Sequence, residues 1–323
     1  MKISVIVPTY RRVNDLARCL NALRQQTRLA DELIIVVRDS DIESWMFLDS
    51  FDVGFLPLKT LQVKVPGVIA AMNVGVEAAT GDIIAFTDDD AAPHADWLER
   101  MEFYYLKDDR AGGVGGRDII QRTEPWFEEE RATTVGLLQW HGRLIGEHHR
   151  GVGTAREVDV LKGVNMSFRR SVFTDLRFDQ RLRGTGAQVH FEVAFCLELR
   201  RKGWTLIYDP AILVDHYIAQ RFDEDQRQQF NAIAYINAVH NETLALLEHF
   251  SWFQRIIFLM WAVLIGTRQS LGSVQWVRLF PSETTLATRK LLASVQGRWQ
   301  GWQTWRQSQS DRPPSGSTQA IHE

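Results

Sequence analysis

Short runs of β-branched and other apolar residues alternate with segments of helical periodicity along the first third of the chain. Ile3-Ser4-Val5-Ile6-Val7 reads as a strand buried on both faces and stopped by Pro8. Val13, Leu16, Leu20 and Leu23 then recur at helical spacing, with Asn14 placed to cap the helix. Leu33 to Val37 is a second buried strand, and the alternation from Leu61 to Val65 suggests a third. The Ala-rich run from Val68 to Ala79 predicts a helix closed by Thr80-Gly81. Ile83-Ile84-Ala85-Phe86-Thr87 is a further apolar strand, and a helix is expected from Trp97 to Leu106. Strands and helices alternating through short connections predict a parallel sheet covered on both faces, hence an α/β nucleotide-binding half over residues 1–110.

The pattern loosens over residues 111–160, where Gly112-Gly113, Gly115-Gly116, Gly151 and Gly153 mix with His141, His148 and His149, and a loop-rich segment is expected. Order returns with a short strand through Asn165-Met166-Ser167-Phe168 and a helix near 190–202. Strands at Thr205 to Tyr208 and Ala211 to Val214 follow. Beyond residue 222 the pattern is helical, first polar and then strongly apolar. Arg312-Pro313-Pro314-Ser315-Gly316-Ser317 marks a disordered tail, expected from residue 307 to 323.

Composition narrows the function classes. The 323 residues are 45% apolar and 24% charged, which excludes disorder over most of the chain. A formal charge of -3, from 37 basic and 40 acidic side chains, excludes an overall cationic nucleic-acid binder. Cys19 and Cys196 are the only cysteines, so no disulfide framework or thiolate zinc cluster is available. The apolar run before Pro8 is shorter than the ~7–15 residues of a secretory h-region, and a cytoplasmic protein is expected.

The sharpest chemical feature is Asp88-Asp89-Asp90, directly after the apolar strand 83–87. Ligands of open parallel sheets sit at the carboxyl ends of strands. Three adjacent carboxylates repel one another, and a hard divalent cation such as Mg²⁺ or Mn²⁺ relieves that repulsion, with substrate phosphates completing its shell. A solvated acidic turn is the alternative for these residues taken alone.

From here the sequence resembles a known family. Ser4-Val5-Ile6-Val7-Pro8-Thr9-Tyr10-Arg11-Arg12 is similar to the opening of glycosyltransferase family 2, the inverting GT-A enzymes. The resemblance continues through Ala70-Ala71-Met72-Asn73-Val74-Gly75 and the stretch from Ala79 to Asp90, then resumes at Gly163-Val164-Asn165-Met166-Ser167-Phe168-Arg169-Arg170. Phe178-Asp179, Arg201-Lys202-Gly203-Trp204 and Asp209-Pro210 ahead of Asp215-His216 come later, in the family's order. The blocks cover roughly residues 1–217, and their joint occurrence is specific where each alone is weak.

The resemblance implies a GT-A fold, a Rossmann-like, mostly parallel sheet flanked by helices, with a C-terminal helical extension. It implies that Pro8, Thr9, Tyr10 and Arg11 line the nucleotide base. Asp88 and Asp90 match the D-x-D motif that holds a divalent metal on the donor diphosphate, with Asp89 beside them and His216 as a third ligand. Asn73 is a donor-pocket residue by the same comparison, as Asn165 is, with capping or turn formation as the alternative for both. Val37-Arg38-Asp39-Ser40-Asp41 replaces the Asp-rich end of the family's second strand, which leaves Asp39 and Asp41 both candidates for the base or ribose contact. Counting back from Gly203-Trp204 puts the family's Glu-Asp pair on Phe191-Glu192, so Glu192 takes the general-base position, with Asp179 and Asp215 as the next candidates. Phe191 in place of an acid, and Ala194 and Glu198 where an acid and an arginine are common, depart from the family's usual acceptor side.

The C-terminal third carries a different signal. The apolar run Ile256 to Ile265 has 10 residues, where a bilayer span takes about 20. Six of the 11 tryptophans lie after residue 250, and Thr267 to Arg306 holds six Lys or Arg residues against Glu283 as the one acid. These features together suit a helix lying in the headgroup region. The expected protein is a cytoplasmic glycosyltransferase, peripheral on the inner face of the cell membrane. Its expected partners are a nucleoside-diphosphate sugar donor and a saccharide or lipid-linked saccharide acceptor. Residues 1–221 are expected to form the catalytic domain, 1–110 serving the donor and 111–221 the acceptor, and 222–306 the membrane-associating extension. The rivals are a sugar nucleotidyltransferase, whose Gly-rich phosphate loop Pro8-Thr9-Tyr10-Arg11-Arg12 lacks, and a degenerate GT-A scaffold at the membrane.

Overall fold

The computed structural model describes residues 1–121, 130–224 and 229–310. The first half runs β1 (Ile3–Thr9), α1 (Val13–Arg24), β2 (Glu32–Arg38), α2 (Ile42–Ser50), β3 (Leu58–Val63), α3 (Val68–Ala78), β4 (Ile83–Phe86), β5 (Ala91–Pro93) and α4 (Trp97–Lys107). Then follow β6 (Ala111–Ile120), the small hairpin of β7 (Leu137–Leu138) and β8 (Leu144–Ile145), β9 (Arg156–Glu157), β10 (Met166–Arg169), α5 (Phe191–Arg201) and β11 (Thr205–His216). Four helices end the described chain: α6 (Ala232–His249), α7 (Trp252–Leu264), α8 (Ser273–Glu283) and α9 (Thr285–Ser310).

The central sheet has the order β3-β2-β1-β4-β10-β6-β11-β5, with β9 against β11. β1 to β4 are mutually parallel. The second half mixes directions, because β10 runs antiparallel to both of its neighbours. Both faces of β1 are covered, which is why it is a continuous apolar run rather than an alternating one. Val5 and Val7 pack with Leu16 and Leu20 of α1 on one face, and Ile6 packs with α3 and the Phe86–Phe168–Phe178 aromatic cluster on the other.

Several expectations need correcting. The glycine-rich stretch expected as loop begins with β6, a ten-residue strand in the middle of the sheet. Its glycines make room for neighbours: a Cβ on Gly113 would meet the Phe168 ring at 2.8 Å, and one on Gly116 would lie 2.0 Å from the Ile212 carbonyl oxygen. The two expected strands at 205–214 are one strand, β11, whose register shifts between Asp209 and Leu213. Asn14 does not cap α1; Arg12 occupies the N-cap and makes no side-chain cap bond there, because a guanidinium has no acceptor to offer the helix N–H groups, and its own donors go to Asp89. Residues 307–310, expected to be disordered, continue α9, and 311–323 lie outside the described residues.

The C-terminal helices belong to the same packed body as the sheet. Leu244 and Ala245 of α6 are buried in the main core, and Trp305 of α9 packs against it. Gly297 and Gly301 let α9 approach α6 closely, for a Cβ on either would stand 2.7 Å from a carbonyl oxygen of α6.

Candidate active site

β1 and β4 pair in parallel, Ile6 opposite Phe86, so their carboxyl ends deliver Pro8-Thr9-Tyr10 and Asp88-Asp89-Asp90 to one edge of the sheet. There they line a cavity of about 410 Å³, together with Lys162-Gly163-Val164, the loop around Gly186, Glu192 and the segment after His216.

The three aspartates have different surroundings. Thr9 Oγ1 donates to Asp89 Oδ2 at 2.8 Å and Arg12 Nη1 to Asp89 Oδ1 at 2.7 Å, so Asp89 is engaged on both oxygens. Burial pushes the Asp89 pKa up, and the Arg12 charge opposes it. Asp90 accepts from the Ala219 amide at 3.0 Å, and its Oδ1 is buried with no hydrogen bond reaching it among the described residues; His216 Nε2 stands 3.5 Å away. Burial works to raise the Asp90 pKa, but the neighbouring His216 and the Arg12 charge outweigh it and hold the carboxyl at about 2. Burial and the neighbouring Asp90 both raise Asp88.

His216 ends β11 and closes the group. One ligand atom each from Asp88, Asp90 and His216 lies within 4.8 Å of the others. The far side of the imidazole is held by Asp118 of β6, whose Oδ2 is 3.3 Å from Nδ1 and also accepts from Lys162 Nζ at 2.5 Å. Burial would lower the His216 pKa; its bond to Asp118 and the nearby Asp90 carboxylate carry it up to about 9. Two carboxylates and an imidazole backed by a carboxylate form a donor set that fits a divalent cation, and the unbonded Asp90 Oδ1 agrees with that.

Glu192 stands in the first turn of α5 and lines the same cavity. Its Oε2 is buried without a hydrogen-bond partner among the described residues, and burial pushes its pKa up to about 7.

Other expected residues fall elsewhere. Arg11 is exposed in a left-handed backbone conformation (φ 59°) over the Tyr10 and Phe222 rings, outside the cavity lining, and Arg12 takes the inward place. Asp39 is exposed, and buried Asp41 caps α2 and accepts from the Arg11 amide. Neither lines the cavity; Arg38 does, 4.2 Å from the Tyr10 ring centroid and paired with Asp223 at 3.1 Å. Asn73, expected at the donor, is spent on the Phe178 backbone, which its amide bonds in both directions. Asn165 likewise bonds Trp97 Nε1 and the Arg117 and Ile212 carbonyls. Asp179 is paired with Arg181, and Asp215 with Gln121 and His94, both away from the cavity lining. Sequence reasoning missed Arg12, Arg38, Asp118 and Lys162. Asp118 gave no signal in the sequence, because the glycine-rich run around it reads as loop and only the structure puts it in β6.

Comparison with known proteins agrees with this arrangement. Residues 4–177 match the family model described as glycosyl transferase family 2, more than half of the chain. The chain belongs to glycosyltransferase family 2. Within that family it is 31% identical over 227 residues to the glucosyl-dolichyl phosphate glucuronosyltransferase of Haloferax volcanii, covering 67% of this chain and 69% of the relative. Two solved structures share the fold at 16% identity. One is the mannosyltransferase PcManGT from Pyrobaculum calidifontis in complex with GDP-Man and Mn²⁺ (TM-score 0.56, covering 92% of this chain and 87% of that one). The other is residues 1–349 of S. aureus TarS in complex with UDP-GlcNAc (TM-score 0.52, covering 95% and 92%). The family 2 chain described here is therefore a glycosyltransferase with a GT-A fold.

Proposed function

We propose that the enzyme is a metal-dependent, inverting glycosyltransferase. It moves one sugar from a nucleoside diphosphate to a hydroxyl of a glycan or lipid-linked saccharide. The observation that carries this reading is the pairing of two kinds of group across one cavity: the Asp88, Asp90 and His216 cluster, and the buried, unbonded carboxylate oxygen of Glu192.

Residues 1–110 serve the donor in this reading, with Pro8, Thr9 and Tyr10 at the nucleotide. Residues 111–221 serve the acceptor and 222–306 form the extension. Asp88, Asp90 and His216 would hold Mg²⁺ or Mn²⁺, which when bound stabilises charge gathering on the departing nucleoside diphosphate. Asp118 orients His216, and Arg12 balances Asp89. Glu192 takes the proton of the acceptor hydroxyl as that oxygen bonds to the anomeric carbon. The bond from that carbon to the diphosphate oxygen breaks, and its electron pair leaves with the nucleoside diphosphate. Attack from the face opposite the leaving group inverts the configuration. The Mn²⁺ in the mannosyltransferase complex supports the metal, and the dolichyl-phosphate substrate in the name of the Haloferax relative supports a lipid-linked acceptor.

A panel of nucleoside-diphosphate sugars, GDP-mannose and UDP-N-acetylglucosamine among them, tests the donor side. With Mn²⁺ one donor is expected to raise the melting temperature well above the rest, because ligand at about 100 times its Kd stabilises by about 2.7 kcal/mol. Turnover should release nucleoside diphosphate. Release of pyrophosphate would instead indicate a nucleotidyltransferase, and no donor turnover a scaffold.

Among the described residues no helix is long and apolar enough to cross a membrane. α7 nevertheless exposes Trp252, Phe253, Ile256, Met260, Val263 and Leu264 along one side, opposite buried Phe258 and Ala262, and α8 exposes Val274, Val277 and Phe280. An amphipathic surface of this kind supports peripheral association with a membrane surface. Replacing Trp252, Ile256 and Met260 together by serine is expected to lower the fraction bound to anionic vesicles at least about tenfold, with an unchanged melting temperature. Equal vesicle binding by both proteins would refute this surface. Point substitutions are the right probe here, since α9 completes the packing of α6 and its removal would expose the core.

A further inference from the structure

Thr185, Gly186, Ala187 and Val189 of the loop Arg183–Val189 line the cavity, and the loop leads directly into α5 and Glu192. Both ends of that loop are gripped by one side chain of the C-terminal helices. Asn241 of α6 is fully buried. Its Oδ1 accepts from the Arg183 amide at 2.7 Å, and its Nδ2 donates to the Arg183 carbonyl at 2.9 Å and to the Val189 carbonyl at 3.1 Å. His240 Nδ1 lies 2.9 Å from the same Oδ1, and His240 Nε2 lies 2.9 Å from Thr304 Oγ1 of α9. The carboxamide therefore has both donors and its acceptor engaged, and its orientation is fixed from behind.

The loop so held is unusual in its backbone. Gln188 (φ 43°) and His190 (φ 75°) are both left-handed without being glycine, and they flank Val189. Such conformations persist where the surroundings over-determine them, and they gather at sites where geometry matters. Here the surroundings are identifiable. The Val68 amide donates to the Gly186 carbonyl, the Ile69 amide to Gln188 Oε1, and Gln188 Nε2 to the Leu182 carbonyl. Arg38 Nη2 donates to the Thr185 carbonyl, and Asn241 holds both ends. The body of α5 is anchored separately, by Phe195 stacked on Phe173 and Phe191 against Phe178. Loss of the Asn241 grip therefore loosens the two ends of the loop, at Arg183 and at Val189 just before α5, while the helix stays packed.

We propose that Asn241 is a positioning residue for the acceptor side of the cavity, holding the loop 183–189 and through His190 the turn that presents Glu192. This rests on the reading of Glu192 as the general base. Asn241 touches no reacting atom; it fixes where the acceptor hydroxyl and the base meet. Misplacement of that kind costs one to two orders of magnitude in transfer. Water, which needs no wall to orient it, is affected less.

The test compares Asn241→Ser and Thr304→Val, the latter removing only the hydroxyl behind His240, with Val239→Ala, which loosens α6 against α9 without touching the loop. The donor is the nucleoside-diphosphate sugar giving the largest thermal shift with Mn²⁺, and octyl β-glucoside is the acceptor probe. Asn241→Ser is expected to lower the ratio of transfer to donor hydrolysis at least about tenfold and to raise the KM for the glucoside, with donor Kd within about twofold of the unmutated enzyme. Thr304→Val is expected to shift the ratio the same way by a smaller factor, and it decides the matter if Asn241→Ser does not fold. Val239→Ala is expected to lower the melting temperature with the ratio unchanged. An unchanged ratio in the folded loop variants, or an equal change in Val239→Ala, overturns the proposal. Glu192→Gln in the same assay separates the two ideas: slow transfer there beside a normal Asn241→Ser ratio overturns the positioning role alone, whereas normal transfer by Glu192→Gln overturns the base assignment on which it rests.

Discussion

Glu192→Gln is expected to slow glycosyl transfer by about 10²–10⁴-fold while donor and Mn²⁺ bind almost normally. Glutamine keeps the shape of the side chain and loses the carboxylate that accepts a proton. The nucleotide and metal groups lie on other segments, at the ends of β1, β4 and β11, so ground-state binding has no reason to fall. The same residue sets a pH dependence. Burial raises the Glu192 pKa to about 7, and a base works only when ionised. Transfer at saturating substrates should therefore rise with pH up to about 7 and fall roughly tenfold per unit below it. In Glu192→Gln this acid limb should vanish. Glu192→Asp keeps the charge but shortens the reach by one methylene, and it should transfer poorly although it titrates. Near-normal transfer by the glutamine variant would sink the base assignment.

Asp90→Asn should weaken Mn²⁺ binding by at least about 10–100-fold, the loss that follows even from disturbing an outer partner of a metal ligand. The asparagine removes a negative oxygen from the cluster with Asp88 and His216 while occupying the same space. Donor binding should then lose its dependence on the divalent cation, and transfer at fixed Mn²⁺ should fall with it. Titration calorimetry of Mn²⁺ and of the donor, each with and without the other, reads both effects. Because His216 and Arg12 hold the Asp90 carboxyl at about 2 against the effect of burial, the unmutated site presents this charge at every working pH. If a chelator leaves the unmutated enzyme fully active, the metal role of Asp88 and Asp90 is wrong.

Much of this was legible in the linear sequence because it is local. Strand and helix identities follow from periods of two and 3.6 residues, and Ile83–Phe86 followed by three acids places those acids at a strand's carboxyl end whatever the rest of the chain does. Glu192 was reached by counting back from Gly203-Trp204 to the position that the family resemblance implies for its Glu-Asp pair. These inferences needed no partner distant in sequence.

What the sequence by itself determined is therefore the α/β class, the family, the acidic turn and the helix that carries Glu192. Only the tertiary structure decided which of several equivalent side chains turn inward. Arg12 rather than Arg11 meets the aspartates because Arg11 adopts a left-handed turn that sends its own side chain outward. Arg38 rather than Asp39 or Asp41 faces the cavity, since Asp39 lies exposed in the turn beyond β2 and Asp41 is committed to capping α2. Asn73 left the donor site because the Phe178 backbone, 105 residues away in sequence, takes its amide. The glycines of β6 looked like a loop because glycine disfavours a strand interior, until the Phe168 ring and the Ile212 carbonyl filled the space where their side chains would stand. Apart from the local cap at Asp41, these outcomes depend on contacts between segments tens to over a hundred residues apart, and short-range patterning carries no information about which segments meet.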